Sequence, residues 1–315
     1  MNEQRINIFI QGHLMAVLCL VGALLLTFFM SEPSVPAASY GTVTGWGINW
    51  SVMGSWCRYV EFVLALLAAL AMVLLNKHFT FLGGMTMLFV SLTLLAVPSL
   101  SVAVGGMADG MLMAVVYLVL THMLFSLFEQ RDFTTRIFTL FVIIAGFSLI
   151  ESAFVWMLPL FFFGVVQVRS MSIRGILAAV FGILTPYWIV LGSGLVPTDA
   201  LVWPHVDSAF SGAGAALAVA GGVLAVGMAA IGVNSFTLIS YRLQLRTYNG
   251  FTLLAILWAV IMIVADSGNA SLYIPVLIVN VAMQLAHCLN AKPYRRRYIA
   301  VLLIMAALIT VYSLV

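Results

Sequence analysis

Long apolar runs separated by short polar breaks organise the whole chain. Eleven runs stand out, at 9–30, 56–75, 81–97, 107–128, 137–150, 153–168, 175–195, 209–232, 250–266, 270–289 and 298–315. A hydrocarbon core of ~30 Å is crossed by about 17–25 helical residues, so each run is read as a membrane helix. The fold class expected is therefore all-α: a polytopic membrane protein with about 11 transmembrane helices in one transmembrane domain spanning 1–315. The two runs at 137–150 and 153–168 are short and are read as the arms of a compact helical hairpin over 137–168.

That hairpin lies in "RIFTLFVIIAGFSLIESAFVWMLPLFFFGVVQVR", Arg136 to Arg169, whose one internal charge is Glu151. Taken as a single helix, the residues between the two arginines would measure about 48 Å at 1.5 Å per residue, too long for one upright crossing. Two arms place "SLIES" at the turn and Glu151 at a membrane boundary, not in mid-bilayer.

Charge then sets the threading. With the N-terminus inside and the sides alternating, Arg5, Lys77, Arg131, Arg136, Arg169, Arg174, Arg242, Arg246, Lys292, Arg295, Arg296 and Arg297 all fall inside. Only Arg58 falls outside, so twelve of the 13 basic residues follow the positive-inside rule. Removing or adding one crossing would put basic loops on the wrong side. The expected topology is N-in and C-out, with Glu32, Glu61, Asp109, Glu151, Asp199, Asp207 and Asp266 at or near the outer face.

Composition agrees: 64% of residues are hydrophobic and 7% charged, against about 25% charged in soluble domains. There is no basic domain, so nucleic acid is not an expected partner. Cys19, Cys57 and Cys288 form no CxxC or metal-type spacing. The N-terminal apolar run is read as a retained first helix; cleavage near "VPA" at 35–37 is the alternative.

Within the runs, 209–232 carries small residues at four-residue spacing, Gly214/Ala218/Gly222 and Gly221/Ala225/Ala229. Such stripes let helices approach closely in lipid, here by packing within the chain or, alternatively, as a homodimer seam or sliding gate. Pro186 and Pro159 each remove a backbone donor and predict kinks. "KPYRRRY" at 292–298, with Arg295, Arg296 and Arg297, serves as a topology anchor or holds anionic lipid head groups.

Catalytic motifs are missing: the chain has no HExxH, Walker sequence, GxSxG, zinc spacing or Gly-rich dinucleotide turn. Ionisable residues inside the runs are few, chiefly Glu61, His122 and His287. Arg58 and Glu61, three apart, are expected to neutralise each other on one helix face. No midplane polar site, as a transporter needs, is evident. The remaining candidates are Glu32, Asp109, Glu151, Asp199, His205 and Asp207 at outer span ends. They are either solvated loop groups or a boundary site in which a carboxylate acts as base or binds a divalent cation through oxygen.

The run from about 128 to 195, with "AGFSLIESAFVWMLPLFFFGVV", "RSMSIRG" and "FGILTPYWIV", and the C-terminal "LYIPVLIVNVAMQLAHCLNAKPYRRRYIAVLLIMAAL" resemble a family of uncharacterised Bacteroidota multi-pass inner-membrane proteins, defined only as a domain of unknown function. The hairpin is also similar, more loosely, to membrane glycosyltransferases of the C-type fold, which use polyprenyl-phosphate sugars. That resemblance implies an inner-membrane role in cell-envelope glycan or lipid assembly, a lipid-linked substrate, and a catalytic carboxylate in the first outer loop, where Glu32 is the only acid. A non-enzymatic scaffold or subunit of an envelope membrane complex is the alternative, and a lipid or small-molecule transporter a further one.

Overall fold

The computed structural model describes residues 8–29, 50–53, 56–80, 82, 87–128, 133–168, 172–194, 206, 208, 213–238, 242–290 and 297–314. Most of these residues are helical, with no strand among them. The helices are α1 (His13–Phe29), α2 (Cys57–Phe79), α3 (Leu88–Val104), α4 (Ala108–Phe125), α5 (Thr134–Ile150), α6 (Met157–Gln167), α7 (Ile173–Gly192), α8 (Gly214–Leu238), α9 (Leu243–Ala265), α10 (Ala270–Asn290) and α11 (Arg297–Leu314). Each apolar run of the sequence holds one of them. A one-turn helix, Trp50–Met53, lies between α1 and α2.

Six of these helical stretches are long and apolar enough to cross a membrane: Cys57–Phe79, Ala108–Phe125, Ile173–Gly192, Gly214–Asn234, Leu243–Ala265 and Ser267–Cys288. The apolar stretches His13–Phe29, Leu88–Val104, Thr134–Ile150, Ser152–Gln167 and Ile299–Ser313 are shorter. A 17-residue helix such as α1 measures about 25 Å, at the lower edge of what the hydrocarbon requires.

The helices end where the sequence offers a stop. α2 ends at Thr80, whose backbone is left-handed (φ +44°) and whose N–H donates to Asn76 O at 2.8 Å. The Asn76 side-chain oxygen then accepts the Leu82 N–H. α7 begins at Ser172, whose hydroxyl accepts the Gly175 N–H at 3.1 Å, a side-chain N-cap.

The chain divides into two compact units: 1–37, 51–118 and 207–315 form unit 1, and 38–50 and 119–206 form unit 2. In unit 1, α3 is enclosed by α1, α2, α10 and α11, and every residue from Leu88 to Ser101 is buried. α10 is flanked by α8 and α9 as well. α8 meets α10 through Gly227, where an added Cβ would lie 2.7 Å from a Val281 methyl.

The buried positions of α8 are Ala220, Gly227, Ala230 and Asn234, whereas Gly214, Ala218, Gly221, Gly222, Ala225 and Ala229 are all exposed. The small-residue stripes read from the sequence therefore do not form the intrachain seam. The packing follows a seven-residue repeat through 220, 227 and 234 that the four-residue spacing concealed.

In unit 2, α5 packs along α7. Gly182 lets the backbones meet: a Cβ there would sit 2.7 Å from Phe138 O. Ser148 and Tyr187 add a hydroxyl–hydroxyl bond of 2.7 Å between the same helices. α5 stops at Glu151, which is extended (φ −139°, ψ 113°). A 3-10 turn, Ser152–Trp156, leads into α6. Pro159 occupies the first turn of α6, where a missing N–H has no intrahelical acceptor to lose.

Candidate functional site

Among the buried polar groups described in unit 1, two sets stand out. One is acidic and gathers where α3 turns into α4. Gly105 (φ +84°) and Gly106 (φ +114°) both send their N–H to Ser101 O. This left-handed stop, open to glycine because it lacks a Cβ, reverses the chain within three residues. The reversal aims two donors at Glu61 of α2: Ser101 Oγ at 2.9 Å and Met107 N at 3.1 Å both donate to Glu61 Oε2.

Glu61 is thus a clasp on the α3–α4 turn, not the partner of Arg58 that the three-residue spacing suggested. The Arg58 guanidinium instead lies over the Tyr59 ring at 4.9 Å and donates to the Tyr59 hydroxyl.

Asp109, in the first turn of α4, is 4% exposed, as is Glu61. Its Oδ1 accepts the Gly110 N–H at 2.7 Å, while its Oδ2 is buried and has no hydrogen-bond partner. Glu61 thus meets the backbone two residues before Asp109, and Cys57, one turn before Glu61 on α2, is fully buried. Next to Asp109, Gly110 meets the head of α10: a Cβ there would fall 2.6 Å from Ser271 O and 2.8 Å from Leu272 O. In the turn before α10, Asp266 is fully buried, with Tyr273 Oη donating at 2.8 Å and Asn269 Nδ2 at 2.9 Å. No group of three or more His, Cys, Asp or Glu that could hold a metal ion occurs among the described residues.

The second set is neutral and lies inside the helices. Gln284 of α10 accepts from Asn234 Nδ2 of α8 at 3.1 Å and donates to Asn249 Oδ1 and Thr252 Oγ1 of α9, both at 2.7 Å. One turn earlier on α10, Asn280 accepts from Tyr117 Oη of α4 at 2.8 Å and donates to Val276 O. All six side chains are at most 1% exposed. His287, 2% exposed, continues the same stretch of α10.

This set carries no charge, so the pattern of charged residues along the runs does not reveal it. The available signal was Asn249 with Thr252, and Asn280 with Gln284, at helical spacing in otherwise apolar helices.

Beside these sets, α3, α8, α10 and α11 enclose a cleft of about 420 Å³. Ala96, Ala218, Gly222, Ala282, Ala307 and Leu308 are among its lining residues, every one of which is apolar. Two residues of the exposed α8 stripe, Ala218 and Gly222, form one wall.

Of the site residues expected from sequence, Asp109 is in unit 1 as described, and Glu151 is in unit 2. Glu151 is 8% exposed at the break between α5 and the 3-10 turn; its N–H donates to Phe147 O and its carbonyl accepts from Phe154. It sits at the turn, as the hairpin argument required, but is buried within its unit instead of solvated. Glu32, Asp199, His205, Asp207, Arg295 and Arg296 lie outside the described residues; Arg297 opens α11.

No protein-family model, curated protein or solved structure matches the chain.

Proposed function

We propose that this chain is an integral inner-membrane protein of a Gram-negative envelope, crossing the bilayer eleven times N-in and C-out, that works in cell-envelope glycan or lipid assembly by holding the hydrocarbon chain of a lipid-linked substrate. The observation that carries the reading is the apolar cleft of unit 1, walled by four helices and free of polar lining groups. In a bilayer, apolar contact is not driven by water exclusion, so a hydrocarbon chain is retained there by close dispersion contact with a fitted wall. The eleven crossings are supported by the match of every apolar run to a helix, and the orientation by the basic residues.

On this reading, the resemblance to C-type glycosyltransferases supplies the substrate class, a polyprenyl-phosphate-linked sugar. Glu32 is the candidate base. Arg295, Arg296 and Arg297, in and beside the segment joining two cleft helices, are candidates for the anionic head group.

The test is photocrosslinking of full-length protein in nanodiscs holding a phospholipid with a diazirine in its acyl chain. Adducts are expected to concentrate on cleft residues such as Ala307, and Ala218→Trp, which fills the cleft, is expected to abolish them while sparing adducts at exposed Leu70 and Ile261. Equal labelling of cleft and outer faces, unchanged by Ala218→Trp, overturns the reading.

One observation favours the second reading, a subunit or scaffold: the exposed small-residue face of α8, through Gly214, Gly221 and Ala225, is suited to a partner helix. It expects stable co-purification with another membrane protein that Gly221→Leu abolishes; an isolated monomer in mild detergent counts against it.

A further inference from the structure

We propose that Glu61 and Asp109 together hold one exchangeable proton, making the junction of α2, α3 and α4 a proton-binding site. Three observations meet there. The two carboxyl groups are buried, and Glu61 accepts the N–H of Met107, two residues before Asp109. Their partners are unequal: Glu61 Oε2 receives two donors, whereas Asp109 Oδ2 receives none. A cavity of about 10 Å³, bordered by Thr27, Arg58, Glu61, Val97 and Pro98, opens beside Glu61, at the lower limit for one water molecule.

An ionised carboxylate removed from water needs its lone pairs met by donors or cations. Two such charges held at one turn repel as well. One proton relieves both demands. Glu61, with a hydroxyl and a backbone N–H pointed at it, keeps the negative charge; the oxygen without a donor, Asp109 Oδ2, takes the proton. The pair titrates as a unit.

The surroundings are consistent with this occupant. On α2 the other titratable neighbours are Cys57 and Arg58. α3 contributes the hydroxyl of Ser101, and α1 that of Thr27, which donates to Ala23 O. At the head of α10, Asp266 already has a donor on each oxygen. Among the described residues, two carboxylates without a third acidic, His or Cys ligand fall short of the six to eight oxygens a calcium ion takes.

The experiment treats full-length protein in detergent with N,N′-dicyclohexylcarbodiimide, an apolar reagent that adds to protonated carboxyl groups. The carboxyl oxygen bonds to the carbodiimide carbon, its proton passes to nitrogen, and an oxygen-to-nitrogen acyl shift leaves a stable N-acylurea with nothing expelled. Peptide mass spectrometry reads the position. One adduct per chain is expected, on Asp109, falling about tenfold per pH unit on the alkaline side of its midpoint. Asp266, whose two oxygens each accept a donor, serves as the internal comparison.

In Asp109→Asn, labelling is expected to vanish altogether and not move to Glu61. Absence of an adduct on wild-type protein across the pH range, labelling of Asp266 to the same extent, or transfer of the adduct to Glu61 in Asp109→Asn overturns the proposal. Protection by sodium chloride at constant pH also overturns it, by assigning the site to an alkali cation. The wild-type pH profile stands alone should the variant fail to fold.

Discussion

The two polar sets of unit 1 obey different rules. Acids gather at helix ends: Glu61 faces the α3–α4 turn, Asp109 opens α4, and Asp266 precedes α10. Neutral amides and hydroxyls sit within the helices, with Gln284 about 18 Å along α10 from the Leu272 contact at its head. A helix interior has spent its backbone donors on itself, so a buried group there finds only other side chains. Amides, which donate and accept at once, can satisfy one another. Helix starts still have unspent N–H groups and the positive end of the dipole, and these can hold an anion. The location of a backbone surplus thus decides which kind of polar group each region tolerates.

Four substitutions test the contrast, ordered by expected effect. Gly110→Leu drives a side chain into the α10 backbone and is expected to cost about 3 kcal/mol in reversible unfolding from mixed micelles. A loss below about 1 kcal/mol would mean that the junction yields. Gln284→Leu removes three interhelical bonds at once, each worth about 0.6 kcal/mol in membrane proteins, so roughly 2 kcal/mol is expected by the same assay. Ser101→Ala deletes a hydroxyl donor to a charged acceptor and is expected to cost about 1.5 kcal/mol. Tyr117→Phe, losing one neutral bond to Asn280, is expected to cost about 0.6 kcal/mol. Should Tyr117→Phe prove costlier than Ser101→Ala, the acid end would hold no special donors and the contrast would fail.

These regions also differ in how far the sequence revealed them. Helix existence was legible throughout, because apolar runs of this length have few other folds in a membrane protein. Boundaries were less so. α3 as described begins at Leu88 with Met87 as its N-cap, whereas the apolar run starts at 81, most of whose first residues lie outside the described ones. α9 begins at Leu243, seven residues earlier than expected, since Arg246 was read as loop although Leu245 and Tyr248 continue the helix.

At the site, Asp109 was visible as an acid at a span end, but its burial depends on Gly110 meeting α10, a contact 161 residues away in sequence for Ser271 (271 minus 110). Glu61 was assigned to Arg58 because spacing along one helix is local information. Its actual donors, Ser101 and Met107, lie 40 and 46 residues away.

Tyr312 Oη of α11 donates to Leu26 O of α1 at 3.1 Å, joining residues 286 positions apart. Unit 1 is built from the first and last parts of the chain, with the residues of unit 2 between them in sequence. At about 5–20 residues per second of synthesis, α1 is made roughly 15–60 s before α11 arrives to meet it. For that interval the surface of α1 that α11 will touch is without this partner, and the contact closes only after α11 is made.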